Sequence, residues 1–144
     1  NILKDIWDDK ARNVVWLPRS VFDAHGFDLR QLGVEKNDPA FRAGLIELIG
    51  IARGHLENAL AYTLLIPKSE PGIRKFCLWA IGMAVLTLRK IHANPYFTSG
   101  NEVKISRRAV RGVILASNVA HKNDVALKAL FAMSARGLPR RGKG

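Results

Sequence analysis

Two carboxylates, Asp5 and Asp9, stand four residues apart in the opening stretch Asn1-Ile2-Leu3-Lys4-Asp5-Ile6-Trp7-Asp8-Asp9. On a helix this spacing puts both on one face with Cβ atoms about 5–6 Å apart, and an uncompensated like-charge pair there costs roughly 0.2–0.5 kcal/mol. A divalent cation between them reverses that sign. Mg2+ is hard, takes oxygen ligands, and is commonly held by one or two carboxylates together with substrate phosphates; Mn2+ accepts the same kind of donor. Asn1 stands one turn further back on the same face and offers an amide oxygen, so Asn1, Asp5 and Asp9 form the candidate metal set. Lys4, beside that face, is placed to meet a diphosphate oxygen as a point charge. Taken alone, the aspartate pair reads better as two solvated carboxylates on an exposed helix than as a metal site.

The elements that must position these groups are all helical. Asn1 to about Lys10 reads as a short helix with Ile2, Leu3, Ile6 and Trp7 as its apolar side. Val14–Leu17 is extended ahead of Pro18, which disfavours helix at the residue before it. Short helices over Arg19–His25 and Asp28–Leu32 stop at Gly26 and Gly33. Asp38-Pro39 then opens a long helix, with Asp38 as cap and Pro39 in the first turn. Its apolar residues recur every three or four positions from Phe41 to Leu60, and Pro67 ends it near Ile66. A second long helix runs from about Pro71 to Ile91 and is apolar nearly all round from Phe76 to Leu88, the mark of a helix enclosed by others. The Asn94-Pro95 turn and a loop through Gly100 lead to two more helices, about Arg107–Val119 and Asn123–Ala135. No run alternates like a strand for long, and no fixed-period repeat occurs. The class is all-α.

Composition narrows the partners. A chain of 144 residues, 48% apolar, suits one folded core, here 1–135, followed by a basic tail, 136–144, that reads as disordered. Cys77 is the single cysteine, so no intramolecular disulfide forms and a reducing compartment is the simpler setting. The net charge of +11 suits phosphorylated small molecules, an anionic membrane surface or nucleic acid. A helical nucleic-acid module would cluster its Lys and Arg on one helix with stacking aromatics; here the basic residues are dispersed and the aromatics fall in apolar runs, so no nucleic acid is expected. The longest uninterrupted apolar run, Phe76–Leu88, is shorter than the ~20 residues a bilayer span needs. These features place the chain in the cytoplasm, or peripherally on the cytoplasmic face of a membrane. Asn1 begins inside a helical pattern with no cap before it, so a preceding segment of the same protein is expected.

The opening nonapeptide, followed by Trp16-Leu17-Pro18, resembles the second aspartate-rich motif of the squalene/phytoene synthase family, N-[IV]-[LI]-[RK]-D-x-x-E-D with an aromatic-Leu-Pro after it. The resemblance continues to Arg108. His55 and Tyr62 look like the H-x(6)-Y of squalene synthases; Phe76-Cys77, Met83-Ala84 and Thr87-Leu88 resemble the F-C…M-A…T-L segment of that branch, and Val103-Lys104-Ile105 its V-K-I-[RK] stretch. Three positions depart: Asn13-Val14 replace the usual Gly-Arg, leaving Arg12 as the nearest cation; Ala80-Ile81 stand where eukaryotic squalene synthases have Pro-Gln; Ser106 takes the place of the Arg, with Arg107 and Arg108 next.

The resemblance implies part of an isoprenoid-synthase helical bundle in which two farnesyl diphosphates condense head to head to presqualene diphosphate, which NADPH then reduces to squalene. It implies Mg2+ at Asp5 and Asp9, diphosphate contacts from Asn1, Lys4 and Arg12, and Phe76 and Tyr62 on an apolar cavity where an aromatic face steadies a carbocation. Lys104, Arg107 and Arg108 are the expected phosphate contacts of the cofactor or substrate, against a solvated basic turn. The same fold and metal without the reduction give a phytoene or dehydrosqualene synthase; a member that has lost catalysis and serves as a subunit is a further alternative. The family uses two aspartate-rich helices facing each other, and one is present here.

Overall fold

The computed structural model describes residues 1–35 and 37–140. Its elements are α1 (Ile6–Ala11), α2 (Arg19–Ala24), a 3-10 turn (Leu29–Gln31), α3 (Pro39–Leu65), α4 (Pro71–Ala93), α5 (Arg107–Ala120) and α6 (Asp124–Ser134), with no strand among the described residues. The expected all-α class is the one observed.

Local chemistry accounts for the boundaries. The Asp38 carboxylate accepts from the amides of Ala40 and Phe41 at 2.7 and 3.2 Å, which satisfies two of the free N–H groups at the start of α3. The Ser106 hydroxyl does the same for Ala109 at 3.1 Å in α5, and the Asn123 amide oxygen for Ala126 at 3.0 Å in α6. Pro67 follows the end of α3, and Pro71 occupies the first turn of α4. The 27-residue α3 is roughly 40 Å long, and α4 runs back along it as the second arm of a hairpin.

The remaining helices pack on this hairpin. Phe22 of α2 lies over Gly44 of α3, where a Cβ would come within 2.7 Å of its ring, and stacks on Phe41 with ring centroids 5.5 Å apart. Gly82 of α4 admits Val113 of α5, whose Cγ1 would stand 2.6 Å from an added Cβ. A larger core (Phe22, Leu45, Ile49, Val85, Ile91 and Phe97 among its members) sits under the N-terminal segments, and a smaller one around Leu60, Leu78, Ile81 and Leu127 lies beneath α5 and α6. Phe131 packs against both. Fully buried Arg74 ties this second region together: its guanidinium donates to the carbonyls of Thr63, Leu64, Ile66 and His121 and pairs with Asp124.

Three expectations are corrected. The first helix starts at Ile6, not Asn1: residues 1–5 form a single turn in which the amides of Lys4 and Asp5 both donate to the Asn1 carbonyl, and Asp5 leaves helical geometry at φ −96°, ψ 12°. Helix α4 is enclosed on one side only. Leu78, Ile81, Val85 and Leu88 are buried, whereas Phe76 and Ala80 are exposed and the opposite side opens onto a groove. By length and composition this 23-residue helix could cross a membrane, although its uninterrupted apolar run is short; here it is the centre of the bundle, with buried Arg74 on it. Packing also extends past residue 135. Leu138 is buried and its carbonyl accepts from Arg53 at 2.7 Å, so the chain is fastened to that point. Arg141 and Lys143 of the expected basic tail lie outside the described residues.

Candidate functional site

A groove of about 760 Å³ runs between α3 and α4 and is roofed by the N-terminal turn and the Trp16-Leu17-Pro18 segment. Its walls are apolar because of helical period: Leu48, Ala52 and Leu56 on α3 and Ala84, Leu88 and Ile91 on α4 fall three to four residues apart and face the same space. The one hydroxyl on the α4 wall, Thr87, donates to the Met83 carbonyl at 2.9 Å and so adds no free donor. Polar groups gather where the N-terminal turn and the loop after α4 meet, since Asn1, Lys4 and Lys104 all line the groove. An apolar trough with ammonium groups on its wall suits a ligand with a hydrocarbon chain and an anionic head.

The carboxylates stand behind that end. Asp5 pairs with Lys4, and Asp9 accepts from Arg12 at 2.7 Å. Both aspartate side chains are largely covered, so neither points into bulk solvent, yet neither lines the main groove; Asp9 faces a small pocket with Ile2, Trp16 and Leu17. Asp5 and Asp8 both approach the loop after α4. A Cβ placed on Gly100 would lie 3.5 Å from Asp5 Oδ1 and 3.1 Å from both Asp8 Oδ2 and the Lys4 carbonyl. The loop that delivers Gly100 is held by Glu102, which accepts from the Thr98 amide and hydroxyl at 2.9 Å each and from Asn94 at 3.3 Å. These bonds, the Thr98 amide first, hold the Glu102 carboxyl below its ordinary range.

Among the described residues no group of three or more His, Cys, Asp or Glu side chains forms a closed metal cage. Two covered carboxylates, each paired with a cationic side chain, are the donor type that Mg2+ takes together with phosphate oxygens. Of the three cations expected to meet a cofactor or substrate phosphate, Lys104 lines the groove, while Arg107 and Arg108 stand exposed at the start of α5.

Tyr62 and Phe76 do not line the groove; they are 69% and 68% exposed. Tyr62 lies seven residues beyond His55 and Phe76 four before Ala80, so both continue the helix faces that form the groove walls. Asp8 and Gly100 escape a reading based on spacing. Asp8 falls where the family motif has its Glu, which is a usable signal, whereas nothing in the loop sequence foretells the approach of Gly100.

The chain is thus a helical bundle with a long apolar groove, basic groups on its wall and aspartates behind them. The sequence model described as squalene/phytoene synthase matches residues 1–109, and the chain belongs to that family. The chain is similar to a phytoene synthase of Thermus thermophilus, 36% identical over 61 residues, which is 42% of this chain and 21% of the relative. The match thus spans about a fifth of that relative's length and does not single out the squalene branch. No solved structure gives a significant match.

Proposed function

We propose that this chain supplies the second aspartate-rich half of a head-to-head prenyl synthase, in which two allylic prenyl diphosphates condense to a cyclopropyl diphosphate with release of one diphosphate and one proton. The observation that carries the reading is the apolar groove with Lys4 and Lys104 on its wall and Asp5 immediately behind Lys4. The groove binds the hydrocarbon chain and keeps water from the allylic cation once the carbon–oxygen bond breaks. Lys4 and Lys104 hold the departing diphosphate through its oxygens, and Asp5 orients Lys4 toward it. Asp5 and Asp9 would hold Mg2+, which when bound supplies Lewis-acid charge to the leaving group. Arg12, on Asp9, is the positioning cation of that pair.

For substrate and product, Phe76-Cys77 and Val103-Lys104-Ile105 favour farnesyl diphosphate and squalene, with NADPH as reductant. Similarity to a phytoene synthase favours the unreduced product. Incubation of the full-length protein with farnesyl or geranylgeranyl diphosphate and Mg2+, with and without NADPH, separates them. A C30 hydrocarbon that requires NADPH supports the squalene reading. A C40 product from geranylgeranyl diphosphate replaces it with the phytoene reading, and no condensation from either substrate rejects the function.

A further inference from the structure

We propose that the outer face of α5 and α6 is a docking surface for an anionic lipid bilayer, an inference independent of the condensation chemistry. The positive charge of the chain is unevenly spread. From Val103 to the end there are ten Lys and Arg against one acidic residue, Asp124, whereas residues 1–102 hold thirteen against eleven. Asp124 is itself engaged by Arg74 and Lys68, so it offsets little of that charge at the surface.

Helical spacing sorts this charge onto one stripe. Arg108, Arg111, Leu115 and Val119 recur every three or four residues along α5, Lys122 continues the line just past its end, and all five are exposed. Leu115 and Val119 are 67% and 78% exposed, and a Cβ on Gly112, between them and Arg108, would meet nothing within 4 Å. The opposite side of the same helix is the packed one, with Val113 against Gly82 and with Ser117 and Ala120 buried. On α6, Val125 is 77% exposed and Lys128, one turn on, is exposed too, as is Arg136 just past the helix end. An apolar strip flanked by cations, with no acidic group on it, is the pattern of a helix that lies in the headgroup region of a membrane. Duplex nucleic acid would leave Leu115 and Val119 without use, and a second copy of the chain would have to bring the same positive face against itself.

The test is co-sedimentation of the full-length protein with vesicles of phosphatidylglycerol and phosphatidylcholine, against phosphatidylcholine alone, at physiological salt. Binding at least tenfold tighter to the anionic vesicles is expected. Replacing Arg108, Arg111 and Lys122 together by Gln should weaken it about a hundredfold, at roughly fivefold per charge. The pair Leu115→Ser and Val119→Ser should weaken it by roughly tenfold with the helical circular dichroism unchanged. Equal binding to both vesicle types, a charge variant within twofold of wild type, or displacement of the bound protein by duplex DNA would overturn the proposal. So would a dimer in the absence of vesicles that the Leu115/Val119 pair abolishes, since the face would then join two copies.

Discussion

Removing the Arg74 side chain tests how the helices beyond the family match are joined to the bundle. In Arg74→Ala, three carbonyls at the C-terminus of α3 (Thr63, Leu64 and Ile66) and that of His121 lose a fully buried donor, and Asp124 loses its close cation. A hydrogen bond to a charged group contributes about 1.5–3 kcal/mol, and an unsatisfied buried acceptor costs about 1–3 kcal/mol. Several of these carbonyls lie at helix ends that water can reach after truncation, so the sum is not additive. The total expected is about 3–5 kcal/mol, the usual range for breaking a buried ionic contact. For a domain of this size that corresponds to a fall of roughly 10–20 °C in melting temperature. Asp124→Asn is the internal control: its side chain is 36% exposed and the guanidinium keeps its carbonyl partners, so about 1 kcal/mol is expected after solvent screening. Arg74→Lys should fall between, because one ammonium cannot span the set. Urea titration followed by helical circular dichroism measures all three. Equal losses for Arg74→Ala and Asp124→Asn would mean that the carbonyl contacts contribute nothing.

Three further outcomes follow from the same geometry. Gly82→Ala should cost about 1–3 kcal/mol by pressing on Val113, and Val113→Ala in the same chain should recover most of it; failure of the rescue in urea titration would mean that α5 does not pack as described. Because the Glu102 carboxyl is held below its ordinary range in the fold, it adds stability above the unfolded value near pH 4.5, and that contribution disappears as pH falls through the lower folded value. Glu102→Gln should therefore flatten the pH dependence of the denaturation midpoint between about pH 5 and 3, and an unchanged profile would contradict the Thr98 contacts. Gly100→Leu should raise the Mg2+ concentration needed for half-maximal prenyl transfer by roughly tenfold, as the side chain displaces Asp5, Asp8 and Lys4 together; unaltered Mg2+ dependence would separate the loop from the site.

Much of the fold was legible because punctuation and period agreed. Asp38-Pro39, Pro67 and Pro71 bracket α3 and α4 to within a residue or two, and Ser106 and Asn123 cap α5 and α6 near the expected starts. The first helix was misjudged because its apolar spacing extends to Ile2, while the double acceptance at the Asn1 carbonyl turns the backbone before Ile6. The groove could not be read directly: an all-round apolar pattern on α4 looks the same whether its far side meets a helix or an open trough. Tyr62 and Phe76 are on the right helix faces but lie beyond the groove, which ends near His55 and Ala80. The approach of Asp5 and Asp8 to the loop from Asn94 to Lys104 is a long-range contact that carries no local signal.

In the proposed function a prenyl diphosphate binds with its chain in the α3–α4 groove and its head beside Lys4, Asp5 and Asp9. Calorimetric titration of the full-length protein with the unreactive thio analogue of farnesyl diphosphate, with and without Mg2+, addresses it without catalysis. Mg2+ should tighten binding at least tenfold, and Asp5→Asn with Asp9→Asn should remove that gain. An affinity indifferent to Mg2+, or a gain that survives in the double variant, would contradict this binding mode.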